Sequence, residues 1–88
     1  MRSITTGSLS SSDCLITISE HSKKVIEIDS IVYDAFHRQI EAVINAVLEE
    51  ENLTNIHVII QDKGALDYTI KARLKSAITR LKEANHES

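Results

Sequence analysis

Apolar and polar residues alternate in three short stretches of the chain and recur at helical spacing in two longer ones. Cys14, Ile16 and Ile18 alternate with Leu15 and Thr17, a period of two that predicts a strand over 14–18. Lys24–Ile28 repeats the pattern, with Ile26 and Ile28 inward and Glu27 outward. The polar run Glu20-His21-Ser22-Lys23 between them suits a hairpin loop, which favours antiparallel pairing of these two strands. Ile56, Val58 and Ile60 mark a third strand, ending near Gln61.

Between the second and third strands, Val32, Phe36, Ile40, Val43, Ile44, Val47 and Leu48 step by three and four, the signature of one apolar helical stripe. Asp29 or Ser30 is the expected N-cap, and Asn52 and Thr54 end the helix. After the third strand, Asp62-Lys63-Gly64 turns the chain into a second helix over about 65–84. Its stripe is Leu66, Ile70, Leu74, Ala77, Ile78 and Leu81.

The predicted order is β-β-α-β-α. Each helix has one apolar face, so an α+β two-layer sandwich is expected, a three-stranded sheet with both helices on one face. The first strand is placed in the middle, with the third antiparallel to it. The crossover through the first helix should be right-handed. Residues 1–12 are small and polar, with little to bury, and are expected to be mobile, as is the tail Asn85-His86-Glu87-Ser88.

With 88 residues the chain forms one domain over 1–88, too small to wall off a deep dry active site. Net charge is -3 and aromatics are 3%, namely Tyr33, Phe36 and Tyr68, which weighs against a nucleic-acid partner. One cysteine excludes an internal disulfide, and the four histidines show no ligand spacing, so no metal site is expected. The start Met1–Thr6 has no apolar run and no stretch is long enough to span a membrane, so a cytoplasmic protein is expected.

Three clusters are candidates for chemistry. Asp62-Lys63-Gly64-Ala65-Leu66-Asp67 reads either as a glycine-opened helix N-terminus facing an anion or as a capping turn. Its two carboxylates and lysine also allow a small acid–base enzyme. Lys71, Arg73, Lys75, Arg80 and Lys82 form a basic helix face, either a nucleic-acid surface or a solvated one. Ser10-Ser11-Ser12-Asp13 lacks a Gly-x-Ser-x-Gly elbow and offers instead exposed serines for an external modifying enzyme.

Taken together these pieces resemble the acyl carrier (gamma) subunits of citrate lyase. Gly7-Ser8-Leu9-Ser10-Ser11-Ser12-Asp13 is similar to their Gly-Thr-Leu-Glu-Ser-x-Asp, and Phe36-His37-Arg38-Gln39-Ile40 to their Phe-Gly-x-Gln-Ile. Asp62-Lys63-Gly64-Ala65-Leu66-Asp67, with Ile70, Ala72, Arg73 and Leu74, is similar to their Asp-Lys-Gly-Ala-Leu-Asp-x-x-Ile-x-Ala-Arg-Leu, the most specific block. The chain departs at Ser10 (usually Glu), His37 (usually Gly) and Tyr68 (commonly Cys).

The resemblance implies a non-catalytic carrier with Ser11 as the attachment residue, aligned with the serine after the family's Glu. The implied cofactor is a phosphoribosyl-dephospho-CoA group, held through a phosphodiester. Its thiol would carry acetyl and then citryl thioesters between an alpha subunit, which exchanges the acyl group, and a beta subunit, which cleaves citryl to oxaloacetate. A separate attaching enzyme would load the group. The carrier of malonate decarboxylase, with the same type of arm, is the related alternative, followed by a small nucleic-acid-binding module.

Overall fold

The computed structural model describes residues 2–86, so Met1, Glu87 and Ser88, which the expectation of loose ends also covered, lie outside it. The chain forms β1 (Ser3–Gly7), β2 (Cys14–Glu20), β3 (Val25–Ser30), α1 (Tyr33–Glu50), β4 (Ile56–Asp62) and α2 (Asp67–His86). Cys14, Ile16 and Ile18 on β2 and Ile56, Val58 and Ile60 on β4 are buried. They join one core with Ile40, Ile44, Val47 and Leu48 of α1 and Ile70, Leu74, Ala77, Ile78 and Leu81 of α2. The two predicted helical stripes therefore meet the inward side of the two central strands, where removal of apolar surface from water drives folding.

The sheet departs from expectation in two ways. It has four strands, in the order β1-β2-β4-β3, and not three. The additional strand comes from the segment expected to be loose: Ser3–Gly7 pairs antiparallel with β2, from Ser3↔Ser19 to Gly7↔Leu15. Composition concealed it because this edge strand is held mainly by polar partners. Thr5 and Thr17 hydroxyls pair across the strands at 3.0 Å. Thr6 is buried and its hydroxyl donates to the Arg73 carbonyl at 2.8 Å, while Ile4 packs against the core.

Second, β2 and β3 do not form a hairpin. β4 lies between them, antiparallel to β2 as expected (Cys14↔Asp62 to Glu20↔Ile56) and parallel to β3 (Val25↔His57 to Ser30↔Asp62). β2 and β4, whose inward apolar rows are fully buried and whose outward rows hold half-buried Leu15 and Ile59, take the two central places. β3 exposes Glu27 and Asp29, which suits an edge. The helical connection through α1 is what permits parallel pairing.

Helix boundaries differ at the starts. Asp29 and Ser30 belong to β3, and α1 begins at Tyr33 with Val32 at the N-cap and no side-chain cap bond. The Ser30 hydroxyl instead accepts the Val32 N–H at 3.1 Å and donates to Asp62 at 2.7 Å. At the other end Asn52 takes a positive φ of 56°, and the Leu53 N–H closes onto the Leu48 carbonyl at 2.9 Å. The first positions of both stripes stay uncovered: Val32, Phe36 and Leu66 are exposed. Among the described residues no helix is long and apolar enough to cross a membrane.

Candidate functional site

Ser11 sits at the tip of the turn that joins β1 to β2 and is exposed. The turn is built by its ends. Gly7 has φ +92°, and a Cβ there would lie 1.9 Å from the Cys14 carbonyl oxygen, so only glycine fits beside β2. Beyond it the Ser8 N–H donates to the Cys14 carbonyl at 3.1 Å, and the Asp13 N–H to that of Ser10 at 3.1 Å. Ser12 takes the left-handed conformation, φ 65°. Its N–H donates to the Lys63 carbonyl at 2.8 Å, and the Lys63 N–H returns a bond to the Asp13 carbonyl at 2.9 Å. This reciprocal pair carries the β2–β4 ladder past its last registered residues, Cys14 and Asp62.

Asp13 is the post to which the turn is tied. Its carboxylate accepts the Ser8 hydroxyl at 2.7 Å, the Cys14 N–H at 2.7 Å, and two bonds from Arg73, from Nε at 3.1 Å and Nη2 at 2.9 Å. The Arg73 bond, then those from Ser8 and Cys14, hold its pKa down at about 2. A two-pronged arginine contact also fixes orientation, which a lysine does not do. Sequence reading noted Asp13 and Arg73 only as members of separate blocks. Their pairing across 60 positions became visible only when α2 was laid against β2.

Of the three consecutive serines, Ser10 and Ser12 are each held through the backbone. Among the described residues Ser11 makes no hydrogen bond, by backbone or hydroxyl. The hydroxyls of all three are exposed and without a hydrogen bond among the described residues, so what sets Ser11, the serine singled out from sequence, apart is a backbone that is free as well.

The Asp62–Asp67 segment behaves as a capping turn. Asp62 is 2% exposed. It accepts the Ser30 hydroxyl at 2.7 Å and the N–H groups of Gly64 and Ala65 at 3.2 and 2.8 Å. Those two N–H groups are thereby taken and do not face an outside anion. Gly64 has φ +92°. Asp67 accepts both its bonds from the Gln39 amide, at 3.0 and 2.9 Å. The two carboxylates are thus engaged by different elements and do not converge as an acid–base pair.

The basic face of α2 is largely answered within the fold. Besides Arg73, Lys75 pairs with Glu50 at 3.1 Å and Lys82 with Glu51 at 2.9 Å, and Arg80 donates to the Thr5 carbonyl at 3.1 Å. The Lys75 bond lowers the pKa of Glu50.

The sequence blocks 7–13, 36–40 and 62–67 meet at one end of the molecule. Between α1 and the turn leading into α2 lies a groove of ≈ 560 Å³, whose lining includes Val32, Phe36, Gln39, Leu66, Asp67 and Tyr68. Phe36 is 47% exposed and Tyr68 72%.

Residues 1–81 match the family model described as malonate decarboxylase delta subunit (MdcD). A citrate lyase acyl carrier protein from Treponema denticola is 42% identical over 77 residues, 88% of each chain. One from Halothermothrix orenii is 34% identical over 87 residues, 98% of this chain and 93% of the relative. One from Lacticaseibacillus casei is 46% identical over 77 residues, 86% of this chain and 76% of the relative. No solved structure matches the chain significantly.

Proposed function

The chain belongs to the family of acyl carrier proteins that serves citrate lyase and malonate decarboxylase, and we propose that it is the carrier subunit of a citrate lyase with Ser11 as its attachment residue. The observation that carries the assignment of Ser11 is its place at the turn tip, exposed and unbonded between neighbours whose backbones are held. An attaching enzyme needs an accessible hydroxyl that it can reach without unpicking the fold. Ser11 offers one, and no activating base is needed beside it, since the attaching enzyme supplies that function.

The group proposed here is phosphoribosyl-dephospho-CoA, joined by a phosphodiester whose one ester oxygen is Ser11 Oγ. When attached, its thiol supplies thioester chemistry for acetyl and citryl groups. The protein's own residues do the rest. The Asp13–Arg73 pair and the Lys63 backbone hold the root of the turn still. Ser11 at the tip presents its hydroxyl to solvent. Since β1 is paired up to Gly7, reach between the alpha and beta subunits comes from the arm and the turn tip, not from a loose tail of the protein. Tethering raises the effective concentration of the acyl group at each active site. A cytoplasmic place is part of the same reading.

The matched family model is described for malonate decarboxylase, so that carrier role is the second reading. The relatives named for citrate lyase favour the first. Co-expression with the attaching enzymes, followed by peptide mass mapping, tests the assignment. Wild type, Ser10→Ala and Ser12→Ala should carry the arm, and Ser11→Ala should not. An arm retained on Ser11→Ala and lost from a neighbour moves the site by one residue. A wild type that never acquires it defeats the carrier reading, and restored citrate cleavage with citrate lyase alpha and beta subunits separates the two decarboxylase and lyase roles.

A further inference from the structure

The carrier role uses the serine turn but leaves the groove beside it unexplained. We propose that this groove is the resting seat of the nucleoside portion of the protein's own serine-linked group, an inference that rests on the carrier reading.

The first argument is position. The root of the tether and the rim of the groove are one hydrogen-bonded unit: Ser12 and Asp13 bond to the Lys63 backbone, and the adjacent residues Asp62 and Gly64 line the groove. In phosphoribosyl-dephospho-CoA only a ribosyl phosphate separates the serine oxygen from the adenosine. The adenosine is therefore the part of the arm held closest to this rim.

The second argument is chemistry. Phe36 and Tyr68 present aromatic surface that the fold leaves 47% and 72% exposed. A purine stacks on such rings irrespective of sequence context. Beside the Tyr68 hydroxyl, which can donate or accept, the free polar side-chain atoms at the groove are acceptors. Asp67 is a carboxylate, and Gln39 gives its amide N–H groups to Asp67, which leaves its Oε1 open among the described residues. Acceptors suit the exocyclic amine of adenine and the ribose hydroxyls. The lining contains no cation and two carboxylates, Asp62 and Asp67, so a phosphate is repelled from the groove floor. The phosphates are better served at its edge, where Lys63 has no ion-pair partner among the described residues. Tethering makes a weak site sufficient, because a short flexible link presents its end at effective concentrations on the order of millimolar.

The test compares unloaded and loaded full-length protein by amide NMR, after intact mass has established loading. The expected result is that shift changes extend from the 8–13 turn to Gln39, Gly64, Leu66, Asp67 and Tyr68, and that Tyr68→Ala shrinks the changes at Gln39 and Asp67 severalfold without altering the thermal midpoint. Changes confined to the 8–13 turn in fully loaded protein overturn the inference while leaving the carrier role intact. If mass shows that no arm attaches, the carrier reading fails and this inference falls with it. Where loading succeeds, free dephospho-CoA titrated into the unmodified chain tests the groove a second way. Saturable changes at the same amides support it, and none at millimolar ligand overturns it. Free pantetheine is the control: changes with pantetheine and none with adenosine 5′-monophosphate would overturn the assignment to the nucleoside.

Discussion

The two glycines, both at φ +92°, should respond very differently to alanine. At Gly64 the nearest atom to an added Cβ is Ile31 Cδ1 at 3.8 Å, an ordinary contact. Gly64→Ala thus meets only the conformational penalty of a left-handed residue, about 1–2 kcal/mol. At Gly7 the same penalty applies, but the added Cβ lies 1.9 Å from the Cys14 carbonyl oxygen and 3.0 Å from its carbon. Backbone cannot yield as a side-chain end does. Relief requires β1 to move off β2, which breaks the Ser8–Cys14 bond of 3.1 Å, a further loss of about 0.5–1.5 kcal/mol, and loosens the Gly7↔Leu15 pairing. We expect Gly7→Ala to cost roughly 2–4 kcal/mol, with strain the largest part. In a domain of this size that lowers the thermal midpoint by roughly 10–20 °C, against roughly 5–10 °C for Gly64→Ala. Thermal and urea unfolding followed by circular dichroism measure both. A Gly7→Ala protein as stable as wild type, or no less stable than Gly64→Ala, would refute the close approach of the turn to β2.

Two further predictions concern titration. Asp13, held down at about 2 by Arg73, Ser8 and the Cys14 N–H, has a folded pKa below its ordinary value of 3.8. Its contribution to stability is present above pH 4 and is lost as pH falls from 4 towards 2. Carboxyl NMR titration should find that low value, and Arg73→Gln should raise it towards 3.8; an unchanged value in the variant would break the assigned pairing. The Cys14 thiol is pushed up to about 11, first by burial and then by the Asp13 and Asp62 carboxylates. A raised folded pKa favours the folded state below pH 9 and withdraws that support as pH rises from 9 to 11. At pH 8 thiol-reactive reagents should label Cys14 slowly in native protein and rapidly in urea, and fast native labelling would show that β2 opens at this end.

Much of this molecule was decided locally and was legible as such. Alternation over Cys14–Ile18 and Ile56–Ile60 and the stripes from Ile40 to Leu48 and Ile70 to Leu81 map onto the buried core with Val43 alone only partly buried, because burial on one face imposes period two on a strand and three to four on a helix. The serine turn was legible as a resemblance over residues 7–13. Other features depended on residues far apart in the chain. β1 escaped a composition-based reading because an edge strand is held by backbone ladders and threonine hydroxyls, which leave no apolar signal. The places of β2 and β4 at the centre of the sheet followed from which strands have an inward apolar row to bury completely, and β3, with exposed Glu27 and Asp29, went to the edge. Ser30 failed as a cap because its pairing with Asp62, 32 positions away, carries β3 through it, so that α1 starts only at Tyr33. The same holds at the site: sequence offered three serines and three separate blocks. Only the packing of α2 on the sheet brought Arg73 to Asp13, and only the pairing of β2 with β4 brought Lys63 to Ser12, leaving Ser11 the one of the three whose backbone is unbonded among the described residues. Long-range pairs of this kind are set by which surfaces a fold buries together, and no local pattern encodes them.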